Sequence, residues 1–438
     1  MQAISRLPYE FTDKPVTAWG GLRLVQEMIS RMGLREALRA SDLPQPRSNR
    51  GYDPVEMLEV FMTCVWVGGA RFSHTGLIRF DEALKGIFGW RCVAEVSTFT
   101  RFFRRFKQED VDRVFGHVGR WFWEQMPAQR MTLDLDSSVV TRYGEQEGAA
   151  IGYNPRKHGH ACHDPLFAFA ADVRMVVHAW LRPGNIGTCN GSVAFTEETL
   201  GMLGDRHKVG LIRADSGFYD GEYLSWLEAR QLSYVISCKL TPPLKRRIES
   251  QSAWIEIGDG VAVADIAYKG IYWAESRRLI LVRQEIERRP KALGKELFNL
   301  PGYKYQAYVT TLELPPAEVW RLYRGRGDAE NRIAELKHDF GINGFCLDSF
   351  YATEAAFRTV MLAYNLMSVF RQALLKAPKA VRLSTMRFQC FALGSWIGRN
   401  GQKKVQRISL PRQRRAWFDG LFASIRALEA PWPVPTTS

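Results

Sequence analysis

Three acidic residues sit where chemistry could be done. Asp136 lies in Leu133-Asp134-Leu135-Asp136-Ser137-Ser138. Alternation along an extended chain puts Asp134 and Asp136 on one face and the two leucines on the other. Asp215 follows the apolar run Val209-Gly210-Leu211-Ile212-Arg213-Ala214 and precedes a Ser216-Gly217 turn. The carboxyl end of a buried strand is where α/β sheets place ligands, although an Asp there also commonly caps the next turn. Glu330 is the third acid, and it shares a stretch with Tyr323, Arg326 and Lys337. On one uninterrupted helix these four would stand at about 0° (Tyr323), 300° (Arg326), 340° (Glu330) and 320° (Lys337). A stripe of one phenol, one carboxylate and two cations is a poor core face. It suits a metal-binding Glu flanked by phosphate-binding groups. Gly325 and Gly327 weaken such a helix by roughly 1 kcal/mol each, so a bend there would displace Tyr323.

Carboxylates are hard oxygen ligands suited to Mg²⁺, with Mn²⁺ as a substitute. Charge places a polyanion beside them. The 438 residues carry 60 Lys and Arg against 46 Asp and Glu, a net of +14. Residues 355–418 contain 13 of the bases and none of the acids, so nearly the whole excess sits in one C-terminal block. Nucleic acid is the natural partner of such a field, and Trp396, Trp417, Phe388 and Phe391 among the charges imply a folded surface rather than a solvated tail. A second basic cluster, Arg156-Lys157, lies beside His158, His160, Cys162 and His163. The loop reads as phosphate-contacting rather than zinc-binding, because it lacks a well-placed further ligand. Seven cysteines without a C-x-x-C pair argue against a disulfide scaffold or a zinc ribbon and for a cytoplasmic chain. No apolar run approaches the roughly 18 residues that a membrane span needs, and a signal core is not expected at Met1-Gln2-Ala3-Ile4-Ser5-Arg6.

The elements that must position these groups follow from pattern. Residues 1–127 read as helical. Asp53-Pro54 opens one helix, and Ser97 is expected to cap another over 98–106. In that second helix Phe99, Phe102, Phe103 and Phe106 form one stripe, expected to be core, and Arg101, Arg104 and Arg105 fall opposite. The arginine face reads equally as solvent surface or as a DNA-facing helix. Strands are expected at 131–140, 166–173, 175–181, 209–214 and 233–240, with helices at 192–203 and 219–230. That alternation is a mixed α/β sheet. Residues 241–315 read as a β-rich insertion with strands at 254–257, 261–268, 278–282 and 305–311, and helices return from 316.

The Y-x2-R-x3-E-x6-K pattern of Tyr323, Arg326, Glu330 and Lys337 resembles the signature of bacterial insertion-sequence DDE transposases. Tyr323 to Arg332, Gly152-Tyr153-Asn154-Pro155-Arg156-Lys157 and Arg213-Ala214-Asp215-Ser216-Gly217-Phe218-Tyr219 are most similar to the branch named for insertion sequence 1380. The resemblance implies an α/β fold with a ribonuclease-H-like core at 128–240 and 316–345. It further implies the β-rich insertion at 241–315, a helical DNA-binding region at 1–127 and a helical basic region at 346–438. It implies Asp136, Asp215 and Glu330 as the metal-binding catalytic triad. Asp136 is preferred to Asp134 because family members tend to have two small hydroxyl or glycine residues after the acid. Arg326 and Lys337 would hold phosphates near the scissile bond, and Tyr323 would hydrogen-bond a phosphate or stack on DNA. Arg101, Arg104, Arg105, Arg156 and Lys157 are further candidate DNA contacts. Relatives cut through a hairpin and flip a base onto an insertion Trp, which makes Trp273 and Trp254 candidates. The expected partner is double-stranded DNA, as element ends and target, engaged by a homodimer in the synaptic complex. A domesticated structure-selective nuclease and an inert DNA-binding regulator are the competing expectations.

Overall fold

The computed structural model describes residues 8–48, 51–271, 273–285, 302–377 and 381–434. A short strand β1 (Val16–Thr17) precedes α1 (Leu22–Arg31), α2 (Leu34–Ala40), α3 (Pro54–Trp66), α4 (Thr75–Ile78), α5 (Glu82–Phe88), α6 (Val96–Phe103) and α7 (Gln108–Glu124). Asp53 caps α3 by accepting from the Val55 amide at 2.8 Å, with Pro54 in the first turn. The expected Ser97 cap is not used, because α6 begins one residue earlier, with Glu95 at the cap position and no side-chain cap bond. All four phenylalanines of the stripe are buried; the rings of Phe102, Phe103 and Phe106 contact one another, and Phe103 also meets Phe61 and Phe72.

The middle of the chain builds one nine-stranded sheet. Its first members are β2 (Arg130–Ser137), then β3 (Val140–Thr141), β4 (Ala150–Ile151) and β5 (Ala161–His163) as a small separate sheet, then β6 (Leu166–Ala170) and β7 (Met175–Trp180). Next come α8 (Ser192–Leu203), β8 (Lys208–Ala214), α9 (Gly221–Ala229), β9 (Tyr234–Ser237) and α10 (Pro242–Glu249). Then follow β10 (Ile255–Gly258), β11 (Val261–Tyr268), β12 (Arg277–Glu285) and β13 (Tyr303–Thr310). The order across the large sheet is β10-β11-β12-β13-β9-β8-β2-β6-β7. β2 runs antiparallel to β6 and parallel to β8, and β8 runs parallel to β9.

The stretch expected as an insertion does not stand apart from this sheet. β13 pairs antiparallel with β9 through Tyr308↔Ser237, Val309↔Ile236 and Thr310↔Val235, so its four strands extend the sheet. An open strand edge is a row of unmet hydrogen-bonding groups, and pairing β13 with β9 satisfies it.

The chain closes with α11 (Pro316–Arg324), α12 (Gly327–His338), α13 (Phe350–Val369), α14 (Leu383–Met386), β14 (Ser395–Asn400), β15 (Lys403–Ile408) and α15 (Arg412–Ala427). α13 is buried on every side from Ala352 to Val369, packed among α3, α6, α7 and β7. An apolar helix enclosed on all faces is the mark of a core element. Its Asn365 side chain bridges to both backbone groups of Val176, which locks the helix to the sheet. The region from 346 onward, expected to be helical, therefore contains a hairpin, β14–β15. It also touches the start of the chain, since β14 pairs with β1 through Val16↔Trp396 and Thr17↔Ser395.

Candidate active site

Asp136 and Asp215 come together through strand register. β2 and β8 are parallel neighbours with Leu135 opposite Ala214. The next residue along each strand is therefore an acid, and the two acids leave the same end of the sheet side by side. Asp136 is only 7% exposed. Burial, opposed by Arg326 and reinforced by the charges of Asp215 and Glu330, pushes its carboxyl from the ordinary 3.8 up to about 7. Asp215 is half-buried and spends one oxygen capping its own turn, accepting from the Gly217 amide at 2.9 Å.

Asp134 is the other acid on β2, and its surroundings separate it from Asp136. It is fully buried, and both of its oxygens accept from Arg213, at 2.6 Å from Nε and 2.9 Å from Nη2. Arg213 also reaches the Leu322 carbonyl at 2.7 Å. Asp134 is thus committed to a structural pair. A cation in the middle of the apolar β8 run was the available signal, since a buried Arg must be paired.

The expected single stripe on one helix is broken where the glycines stand. α11 stops at Arg324, α12 starts at Gly327, and Tyr323 belongs to the first segment. Tyr323 packs on Tyr308 with ring centroids 4.3 Å apart. Arg326, at the break, is buried and places Nη2 2.8 Å from Asp136 Oδ1, while its Nε makes no hydrogen bond. Glu330 follows in the first turn of α12 and is exposed. Lys337, one helix end away, donates to the Val139 carbonyl at 2.9 Å. Burial and the nearby Arg156 push its ammonium down to about 8, against the pull of Asp136 and Asp164.

Asp215 and Lys337, with Ser137 next to Asp136, border an open cleft of about 1490 Å³ lined also by Arg156, Asp164, Tyr143 and Tyr153. Asp164 is a further carboxylate at the cleft that no motif singles out. It is held by Arg182 at 3.0 Å through one oxygen, and the other oxygen is buried without a partner. Arg182 in turn donates to the carbonyls of Gly187, Thr188 and Asn190 and so fixes the loop facing the Asp215 turn.

The remaining candidates fall in different places. Arg156 and Lys157 are exposed, and the Lys157 ammonium lies 4.7 Å over the Tyr143 ring. His158 and His160 are exposed, whereas His163 is buried and accepts from Arg142 Nε at 2.9 Å while its Nε2 donates to the Glu147 carbonyl at 3.0 Å. That ring is pushed down to about 4 by burial and by Arg142, so it is neutral. Arg101 is exposed and reaches Thr98, Arg104 pairs with Asp348 at 2.8 Å, and Arg105 is half-buried. Trp273 is 9% exposed and wedged between Tyr219 and Tyr268 with the Arg277 guanidinium 4.6 Å over its ring. Trp254 is half-buried under Arg283.

Among the described residues, no three His, Cys, Asp or Glu side chains converge into a ready cation site. The donor chemistry nevertheless fits a hard divalent cation. Asp136 and Asp215 are adjacent oxygen donors, Glu330 raises the negative potential at Asp136, and the protein's own Arg326 stands against Asp136 as a cation.

The fold is thus a large mixed sheet with two acids side by side at the ends of parallel strands and a third acid on a following helix. Residues 3–430 match the family described as transposase DDE domain group 1, and the chain belongs to it. Among solved structures, it is similar to a piggyBac transposase synaptic complex with hairpin DNA, determined by cryo-electron microscopy. That match has 12% identity over 85% of this chain and 79% of the other, with a TM-score of 0.47. No curated protein matches. No helix of the described residues is long and apolar enough to cross a membrane.

The Asp136 carboxyl makes the metal-free protein sensitive to pH. Its folded value lies near 7 and its ordinary value at 3.8, so ionising it opposes folding. The stability that the protonated acid contributes is complete below about pH 4 and is lost as pH rises through about 7, a change on the order of a few kcal/mol. Thermal melts in EDTA from pH 4 to pH 8 should show this decline in the wild type and a flatter profile in Asp136→Asn. Parallel profiles would place the titration elsewhere.

Proposed function

We propose that this chain is the transposase of an insertion sequence of the 1380 branch. It binds the terminal inverted repeats of its element as double-stranded DNA, and it performs metal-dependent strand cleavage and then strand transfer. The observation that carries the reading is the strand register that sets Asp136 and Asp215 side by side, with Arg326 and Glu330 delivered by the next helix. Three antiparallel strands, β7-β6-β2, continued by the parallel β8 and β9 support a ribonuclease-H-like core. In it the first acid lies on the first core strand and the second follows the fourth.

In this mechanism Asp136, Asp215 and Glu330 would hold Mg²⁺ or Mn²⁺, which would supply Lewis-acid stabilisation of charge on the phosphodiester oxygens. The chain's own work is positioning and charge neutralisation. Arg326 has a donor without an acceptor, Nε, and a carboxylate partner that a phosphate can replace. Lys337 and Arg156 lie along the cleft where the strand would pass. Tyr323 packs on Tyr308 beside the acids and supports the wall of the site. Two element ends must be held together, so the working form is a homodimer on DNA.

The test is cleavage of a labelled duplex carrying the DNA that flanks this gene, in Mg²⁺ and in EDTA, with wild type and Glu330→Gln. The expected result is cutting at the element boundary in Mg²⁺ only, lost in the variant. Cutting without strand transfer would leave a domesticated nuclease. Binding without cutting in any metal would leave a DNA-binding regulator with inert acids.

A further inference from the structure

The β14–β15 hairpin is the least expected element of the chain, and its construction is informative. Its root is anchored. Ser395 and Ile397 share a face with Gln406 and Ile408 across the pair. Gln406 donates to the Gly20 carbonyl at 2.9 Å and to Ser395 Oγ at 3.1 Å. Ile397 packs so closely on α5 that a Cβ at Gly86 would stand 2.4 Å from it. The Ile397 amide donates to the Pro15 carbonyl, and β1 adds a third strand. On the other face the Trp396 ring lies over Gly398, with Lys14 at 5.3 Å and Arg407 at 5.0 Å from its centroid.

The tip is the opposite of the root. Residues 399 to 405 are all exposed. The strands are joined by Gly401-Gln402, and Gly401 takes the positive φ of +59° that a type II′ hairpin asks of its first turn residue. Arg399 stands directly opposite Lys404, and Lys403 is opposite Asn400. Like charges facing across a strand pair are destabilising. Residues 395–408 include no acid, and among the described residues Arg399, Lys403, Lys404 and Arg407 have no carboxylate partner. A rigidly rooted ribbon whose tip repels itself is built to meet an anion that the protein itself does not supply.

We propose that this ribbon is a DNA-reading arm, with its tip in the major groove of duplex DNA and Arg399, Lys403 and Lys404 on the flanking phosphates. The inference rests on the reading that this protein acts on DNA. A major groove about 12 Å wide admits a two-stranded ribbon. Because β14 pairs with β1 and packs on α5, the arm belongs to the same body as the N-terminal helices. The N-terminal helices and the C-terminal hairpin thus form a single body facing the duplex.

The experiment measures binding of a fluorescent duplex of the flanking DNA in EDTA, across a salt series, so that cleavage is not needed. Replacing Arg399, Lys403 and Lys404 together by Gln is expected to make the slope of log affinity against log salt shallower by about 2.7, a difference of roughly 40-fold between 50 and 200 mM. Arg399→Glu puts an acid opposite Lys404. It is expected to leave the melting temperature unchanged or raised while lowering affinity, the reverse of what a merely structural residue would do. Methylation of guanine N7, which lines the major groove, is expected to interfere with wild-type binding at discrete positions and not with binding of the triple variant. An unchanged slope overturns the arm. A reduced slope with no N7 interference overturns the groove assignment. A wild type that binds no duplex at all sinks the DNA reading itself, an outcome distinct from both.

Discussion

Asp136→Asn should lower metal-dependent strand cleavage by on the order of 10³-fold or more while binding of the element end in EDTA is retained. The expectation follows from what the substitution keeps. Asparagine still offers an oxygen to the Arg326 guanidinium, which stands 2.8 Å from Asp136 Oδ1, and to the Ser137 amide at 2.9 Å. It loses the negative charge and a hard anionic ligand. Losing several kcal/mol of transition-state charge stabilisation corresponds to about a factor of ten for each 1.4 kcal/mol. Single-turnover cleavage of an end-labelled duplex measures it, with fluorescence anisotropy in EDTA as the binding control. Cutting at the wild-type rate would remove Asp136 from the chemistry and with it the acid triad.

Asp134→Ala, two residues away, should do the reverse and cost the fold about 3–5 kcal/mol. Its carboxylate is fully buried and is gripped through both oxygens by Arg213, itself 7% exposed. Removing one partner leaves a guanidinium in the sheet with no counter-charge, which costs more than the pair was worth. Replacing both residues, as in Asp134→Leu with Arg213→Met, should recover much of the loss, because an apolar pair of similar size carries no desolvation penalty. Urea unfolding followed by circular dichroism reads the effect as a lower midpoint in the single variant and partial restoration in the double. A fully stable Asp134→Ala protein that fails to cut would exchange the roles assigned to the two acids.

This contrast shows where the sequence stops. Alternation put Asp134 and Asp136 on one face of a strand, and that is as far as a period of two reaches. β2 is buried from Leu133 to Asp136 without interruption, so its burial does not distinguish the acids either. What separates them is a partner 79 residues on, Arg213 from the neighbouring strand.

Local chemistry was legible at several elements, though not at the expected Ser97 cap. Asp53-Pro54 announced α3, the phenylalanine stripe announced a buried face, and Gly325 and Gly327 announced the break that sends Tyr323 one way and Glu330 another. The β14–β15 hairpin was not expected from the sequence, where the surrounding charges carry no clear period; its turn is Gly401-Gln402, between Asn400 and Lys403.

The candidate acids and cations, and most of the elements that hold them, can be read along the chain, since caps, breaks and apolar periodicity act within a few residues. Which strand edges meet is settled in three dimensions. The tertiary structure joined β13 to β9 and so merged the expected insertion into the central sheet. It also joined β1 to β14 and so tied the N-terminal helices to the C-terminal hairpin. Edge pairing is a choice among near-equivalent rows of amides and carbonyls, settled by packing across long sequence separations. For the same reason the contact of Arg326 with Asp136, 190 positions apart, was beyond any local pattern.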